Sequence, residues 1–151
     1  MRILYKKVNG DVVDIVKYTN EVLAKYPHCE VRIGTDSQVH RKSVRYVTVI
    51  AYRWGTRGVH LIYKSVTVPK KGLDRYTRLY NEAVRSIELA EYLKKNGILV
   101  SGIDMDYNGQ KKTPSTPVIA PTKGWAEGLG YTVYIKPDAQ LATKAADELC
   151  R

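Results

Sequence analysis

Carboxylates are the side chains whose placement in this chain invites chemistry. Fifteen Asp and Glu stand against 25 Lys and Arg, for a formal charge of +10 at pH 7. Acids that scarce in a basic protein belong on solvated surface, yet several sit in apolar surroundings. Asp36 closes the run VRIGTD, and Glu82 falls in the helical stripe of RLYNEAVRSIELAEYL. Asp104 and Asp106 follow the apolar run ILVSGI, and at the two-residue period of a strand they share one face. An acid aimed at a core costs several kcal/mol unless it is protonated, paired or bound to a cation. Singly, each has an ordinary explanation. An Asp at a strand end forms a turn or caps a helix, and a Glu on a stripe pairs with an arginine. Three separate elements that bring an acid to the centre of one sheet point instead to a carboxylate cluster.

The elements that must position these acids can be read from periodicity. Residues 11–26 carry Val12, Val13, Ile15, Val16, Val22 and Leu23 in helical rhythm, and Pro27 stops them. Residues 31–36, 46–53 and 59–68 are β-branched or aromatic runs. A Gly-containing turn at 55–58 joins the last two as a hairpin, so the three form a meander. Residues 73–96 read as a long helix with Gly97 just past its end. A heptad frame puts Leu79, Ser86 and Leu93 at one seam position and Glu82 and Leu89 at the other. Ala83 and Ala90 lie beside them, while Glu88 and Glu91 face away. Residues 98–103 suit a strand covered on both faces. A polar loop over 107–116, a short helix over 117–128, a strand over 131–135 and a helix over 138–151 complete the chain. The order α-β-β-β-α-β-α-β-α predicts an α/β fold. Its mixed five-stranded sheet combines a three-strand antiparallel meander with two parallel strands, and helices cover both faces.

The size, 151 residues, fits a single domain over 1–151, with 1–30 as a leading helix and 31–151 as the core. At this length roughly 69% of the unfolded surface is buried on folding, so neither a metal clip nor a disulfide framework is required for stability. Cys29 and Cys150 belong to no CxxC pair, which argues against zinc and for two reduced thiols. No apolar run approaches the ~18 residues of a membrane helix, and the first residues carry no secretory h-region. A cytoplasmic location is expected. The excess of cations makes a polyanion, most simply nucleic acid, the expected partner.

With these motifs in hand, residues 31–151 resemble the ribonuclease H-like superfamily. IGTDSQ looks like its first strand, which ends in an Asp, and two further hairpin strands follow as they do there. Glu82 stands nine residues before Glu91 of LAEYLKK, as in the family helix. Asp104 matches the acid of the fourth strand, and KAADELCR with Asp147 resembles the last helix. The combination GTDSQ, IDMD, GWAEGLGY and IKPDAQLATKAAD is most similar to the YkuK-type branch. The resemblance implies a ribonuclease H-like fold and a carboxylate site for two divalent cations. Mg²⁺ or Mn²⁺ would there clamp a phosphodiester. Two departures stand out. Thr143 occupies a position where many ribonucleases H carry Asn. The loop KPDAQLA holds no His, since the histidines are His28, His40 and His60.

The resemblance therefore implies a metal-dependent nuclease of RNA or DNA, with Asp36, Glu82, Asp104 and Asp147 as catalytic and metal-binding acids. Asp106 and Asp138 are alternates. On a helical wheel, Leu141, Ala145 and Leu149 mark the buried face of the last helix, which favours Asp138, whereas the family pattern favours Asp147. Ser37, Gln38, Arg41, Lys42, Lys123 and Lys136 are the candidate nucleic-acid contacts. Two competing readings follow from the same residues. One is a non-catalytic nucleic-acid-binding module on this fold, and the other is a protein-interaction domain that docks through the leading helix.

Overall fold

The computed structural model describes residues 2–55, 59–108, 116–136 and 140–150. In chain order the elements are β1 (Leu4–Lys7), β2 (Val12–Asp14), α1 (Ile15–Lys25), β3 (Glu30–Val39), β4 (Ser43–Arg53) and β5 (His60–Pro69). They continue with α2 (Arg75–Lys95), β6 (Gly102–Asn108), α3 (Thr116–Gly128), β7 (Val133–Lys136) and α4 (Ala142–Cys150). One mixed sheet has the order β2-β1-β5-β4-β3-β6-β7. The meander β3-β4-β5 is antiparallel, and β6 and β7 add to β3 in parallel.

The five expected strands are present, and two short ones extend the sheet to seven. β1 pairs antiparallel with both β2 and β5. The helical rhythm of residues 11–26 predicts VVDIV as the start of a helix. Instead the helix begins at Ile15, because Asp14 caps it: Asp14 Oδ1 accepts from the amides of Val16 and Lys17 at 3.0 and 3.2 Å. The expected strand over 98–103 is displaced as well. Ile98 and Val100 are buried, but strand pairing starts only at Gly102. Before it, Ser101 substitutes for ladder pairing. Its amide donates to Val31 O, and its hydroxyl accepts from Val31 N.

The two faces of β3 set up the site. Val31, Ile33, Thr35 and Ser37 face α2, and Ile33 is fully buried with Ile50, Ile87 and Leu93 in the larger core. Arg32, Gly34 and Asp36 alternate with them onto the face of α4. There Val47, Val49 and Ala51 pack against Ala142 and Ala146 in a second core. α1 lies on the α2 face and buries Ile15, Thr19 and Val22. Thr19 and Tyr52 hydroxyls bond at 2.7 Å, and Tyr26 stacks on Trp54 with centroids 4.1 Å apart.

α4 approaches β3 closely because the residues between them are small. A Cβ on Gly34 would lie 2.7 Å from the backbone nitrogen of Thr143 and 2.9 Å from Ala142 Cβ. Ala142 and Ala146 are fully buried, whereas Leu141, Ala145 and Leu149 are only partly so. The buried face is thus displaced by one position from the wheel centred on the leucines. Asp147 is half-buried beside Ala146 and one turn beyond Thr143, on the flank of that face and not opposite it.

Candidate active site

The candidate site lies where the parallel pairing of β3 and β6 ends. β6 pairs with β3 only from Arg32 to Gly34, while β3 runs on to Val39. Asp36 therefore lies just beyond the point where the parallel pairing stops. Open α/β sheets bind ligands at such places, where neighbouring strands part.

Asp36 is 8% exposed, on the α4 face, and its Oδ1 accepts the amide of Ser37 at 2.9 Å. Glu82 is 4% exposed and reaches β3 from the other face. The stripe position that aimed it at the sheet is filled as the heptad frame predicts, with Ser86, Leu89 and Leu93 also buried. Ser37 Oγ donates to Glu82 Oε2 at 2.5 Å and accepts from Arg78 Nη1 at 2.8 Å. Arg78 Nη1 is also 3.9 Å from Glu82 Oε2. Asp36 and Glu82 are thus brought to consecutive residues of one strand, but from opposite faces.

Asp104 shares the α4 face with Asp36 and is 1% exposed. It lies within β6 and not after it, opposite Gly34. Both oxygens are engaged. Oδ1 accepts from Arg32 Nη1 at 3.3 Å, and Oδ2 accepts from the amides of Leu141 and Ala142 at 2.6 and 2.8 Å. The carboxylate thereby caps α4 from the neighbouring strand, with the positive end of the helix toward it. Burial raises the Asp104 pKa, opposed by the amides of Leu141 and Ala142, by Arg32 and by the amide of Thr143.

Arg32 is the residue that sequence reasoning missed. It is 5% exposed and bonds Glu30 Oε2 at 2.9 Å as well as Asp104. Its guanidinium lies 3.6 Å from the centroid of Tyr134. The signal was available: an arginine alternating with Gly34 and Asp36 inside VRIGTD must share their buried face.

Among the remaining candidates, Gln38, Arg41 and Lys42 are exposed where β3 turns into β4, and Ser37 is buried in the Glu82 contact. Lys123 lies on α3, which packs against α2, β6 and β7. Lys136 ends β7 and Asp106 lies in β6, with their side chains outside the described residues, as is the whole of Asp138. Among the described residues no three His, Cys, Asp or Glu stand arranged around a metal position. The candidate set, Asp36, Glu82 and Asp104, is all carboxylate, the chemistry a hard divalent cation takes. Arginines stand beside two of its acids, Arg32 at Asp104 and Arg78 at Glu82.

A mixed sheet with this strand order, covered by helices on both faces, defines an α/β protein with buried acids where two of its parallel strands part. A family model described as Ribonuclease H-like matches residues 11–151, and the chain belongs to that family. The YkuK-type motifs are consistent with this membership. No curated protein and no solved structure matches the chain. No described helix is long and apolar enough to cross a membrane.

Proposed function

We propose that this protein is a divalent-metal-dependent nuclease that hydrolyses phosphodiester bonds of RNA or DNA where the parallel pairing of β3 and β6 ends. The observation that carries the reading is the burial of Asp36, Glu82 and Asp104 near the place where β3 and β6 part, in a protein with charge +10. Asp147, half-buried on α4, is the fourth acid. Mg²⁺ or Mn²⁺ held by these carboxylates would supply an activated water and a counter-charge for the leaving oxygen. The chain's own part is to hold the acids in place. Ser37 fixes Glu82, the N-terminus of α4 fixes Asp104, and Arg41 and Lys42 offer phosphate contacts at the adjacent turn.

The test is a cleavage screen over single-stranded, duplex, hybrid and four-way-junction substrates with Mg²⁺ or Mn²⁺, and Asp36→Asn as control. Thermal melts accompany it. Metal at about a hundred times its dissociation constant adds about 2.7 kcal/mol, or about 5–10 °C for a domain of this size. Asp36→Asn should abolish that shift without lowering the metal-free melting temperature. No cleavage, with no metal shift in either protein, refutes the nuclease reading.

A second reading is a nucleic-acid-binding module without catalysis on the same fold. It is favoured by the engagement of both Asp104 oxygens and of Glu82 by protein groups. It predicts salt-sensitive nucleic-acid affinity that Asp36→Asn leaves intact, with no metal effect on either protein.

A further inference from the structure

The apolar stripe of α2 continues past its cover. Tyr76, Tyr80, Ala83 and Ile87 follow one another at helical spacing along one side. Ala83 and Ile87 are buried at 2% and 1% exposure, but Tyr76 and Tyr80 stand out at 45% and 37%. Their rings lie parallel, 6.5 Å apart and inclined by 8°. Two large planar side chains are thus held side by side in water at the amino end of the helix that carries Glu82.

The surroundings are strongly cationic. Lys70 N donates to Lys42 O at 3.1 Å, which ties the β3–β4 turn to the β5–α2 connection. This joins Arg41 and Lys42 to Lys70 and Lys71, all exposed, and Arg75 follows on the first turn of α2. The acid within these segments, Asp74, is engaged as the cap of α2, its Oδ1 accepting from Thr77 N at 2.7 Å. That bond holds the Asp74 carboxyl below its ordinary pKa, so it stays ionised as a cap. The patch lies at the same end of the sheet as Asp36 and Glu82.

Cations that line a path, beside exposed aromatic faces, are what an unpaired nucleic-acid strand requires. The phosphates meet the cations, and the bases stack on the rings irrespective of sequence. A duplex offers the phosphates but hides the base faces. We infer that Tyr76 and Tyr80, with Arg41, Lys42, Lys70, Lys71 and Arg75, form a landing surface for single-stranded nucleic acid. This inference rests on the reading of the neighbouring acids as a nucleic-acid site and gives that site its substrate class, an unpaired strand.

The experiment measures fluorescence anisotropy of labelled oligo(dT) and oligo(rU), and of a duplex of equal length, in EDTA so that binding is separated from cleavage. Both rings are exposed, so replacing them leaves the core untouched. Tyr76→Ala with Tyr80→Ala should weaken single-strand binding by about tenfold or more and leave duplex binding unchanged. The Tyr76→Phe, Tyr80→Phe pair should restore it, because stacking needs only the ring. Lys70→Gln with Lys71→Gln should reduce the slope of log K against log salt by about 1.4 for single strands. An alanine pair that binds single strands like wild type overturns the inference, as does one that loses strand and duplex affinity equally. Metal-dependent cleavage by the wild type reads the nuclease proposal separately. Tyrosine-dependent binding without cleavage would refute that proposal and keep this one, and cleavage indifferent to the tyrosines would do the reverse.

Discussion

Replacing Arg32 with Met tests whether this arginine is the counter-ion that makes the buried Asp104 tolerable. The two side chains are 6% and 0% exposed, so solvent cannot take over when one is removed. Breaking a buried pair from one side costs about 3–5 kcal/mol, mostly as the stranded charge. Two features pull the value to the lower end. Asp104 keeps the amides of Leu141 and Ala142, and Glu30 keeps Arg53 at 2.6 Å. Methionine also retains apolar contact with Tyr134, although the cation–π attraction is lost. The expected loss is about 3 kcal/mol at pH 7.5, or about 6–12 °C in melting temperature. The sign of the pH dependence follows from Asp104, whose pKa burial raises in the folded state. A raised folded pKa favours folding below the unfolded value, and the advantage disappears as pH rises through the folded one. Without Arg32 the pKa rises further, so protonated Asp104 should relieve part of the defect at pH 5. The assay is urea unfolding of wild type and Arg32→Met at pH 5 and 7.5, with and without Mn²⁺. If the arginine stands where a cation can, Mn²⁺ should raise the stability of Arg32→Met more than that of wild type. A loss under about 1 kcal/mol, or one equal at both pH values, refutes the pairing argument.

Three shorter predictions concern the scaffold. Gly34→Ala drives a methyl into the Thr143 backbone, which cannot swing aside, and should cost about 1–3 kcal/mol or more in urea unfolding. It should also loosen the cap on α4, seen as faster amide exchange at Leu141 and Ala142. Asp14→Ala removes the acceptor for two amides of α1 and should cost about 1 kcal/mol, read from the same unfolding curves. Cys29 is buried and its thiol pKa is raised, first of all by that burial, so iodoacetamide should label it slowly at pH 7.5 in the folded protein and readily in urea. Equal labelling rates would contradict the packing of Cys29.

Periodicity carried the sequence reading furthest where an element was long. Glu82 was legible because a helix of 21 residues fixes which positions face the sheet. Asp36 and Asp104 were legible because one closes an apolar run and the other follows one. β1 and β2 were not, since strands of four and three residues are too short to show alternation. Their existence depends on β5 offering an edge. The need for glycine at position 34 arises from Thr143, more than a hundred residues later, and no local pattern records it. The one-position displacement of the buried face of α4 has the same origin. Close approach puts the small residues Ala142 and Ala146 at the centre of the contact and moves the leucines to its rim, whereas a wheel weighted by hydrophobicity centres on the leucines.

The sequence leaves the acids either paired with arginine or gathered for a cation, and the structure shows the pairing, at Asp104 and Glu82. Buried carboxylates near one another repel when no cation is present. Arg32 and Arg78 offset that repulsion from two sides, at 3.3 Å from Asp104 and 3.9 Å from Glu82. Each arginine approaches through an Nη1 atom, and each is anchored by a further partner, Glu30 or Ser37. A divalent cation entering this site would compete with two guanidinium groups that are already in place. Metal affinity in the proposed enzyme should therefore be lower than an all-carboxylate donor set alone would give. It should rise when either arginine is replaced, at the expense of metal-free stability.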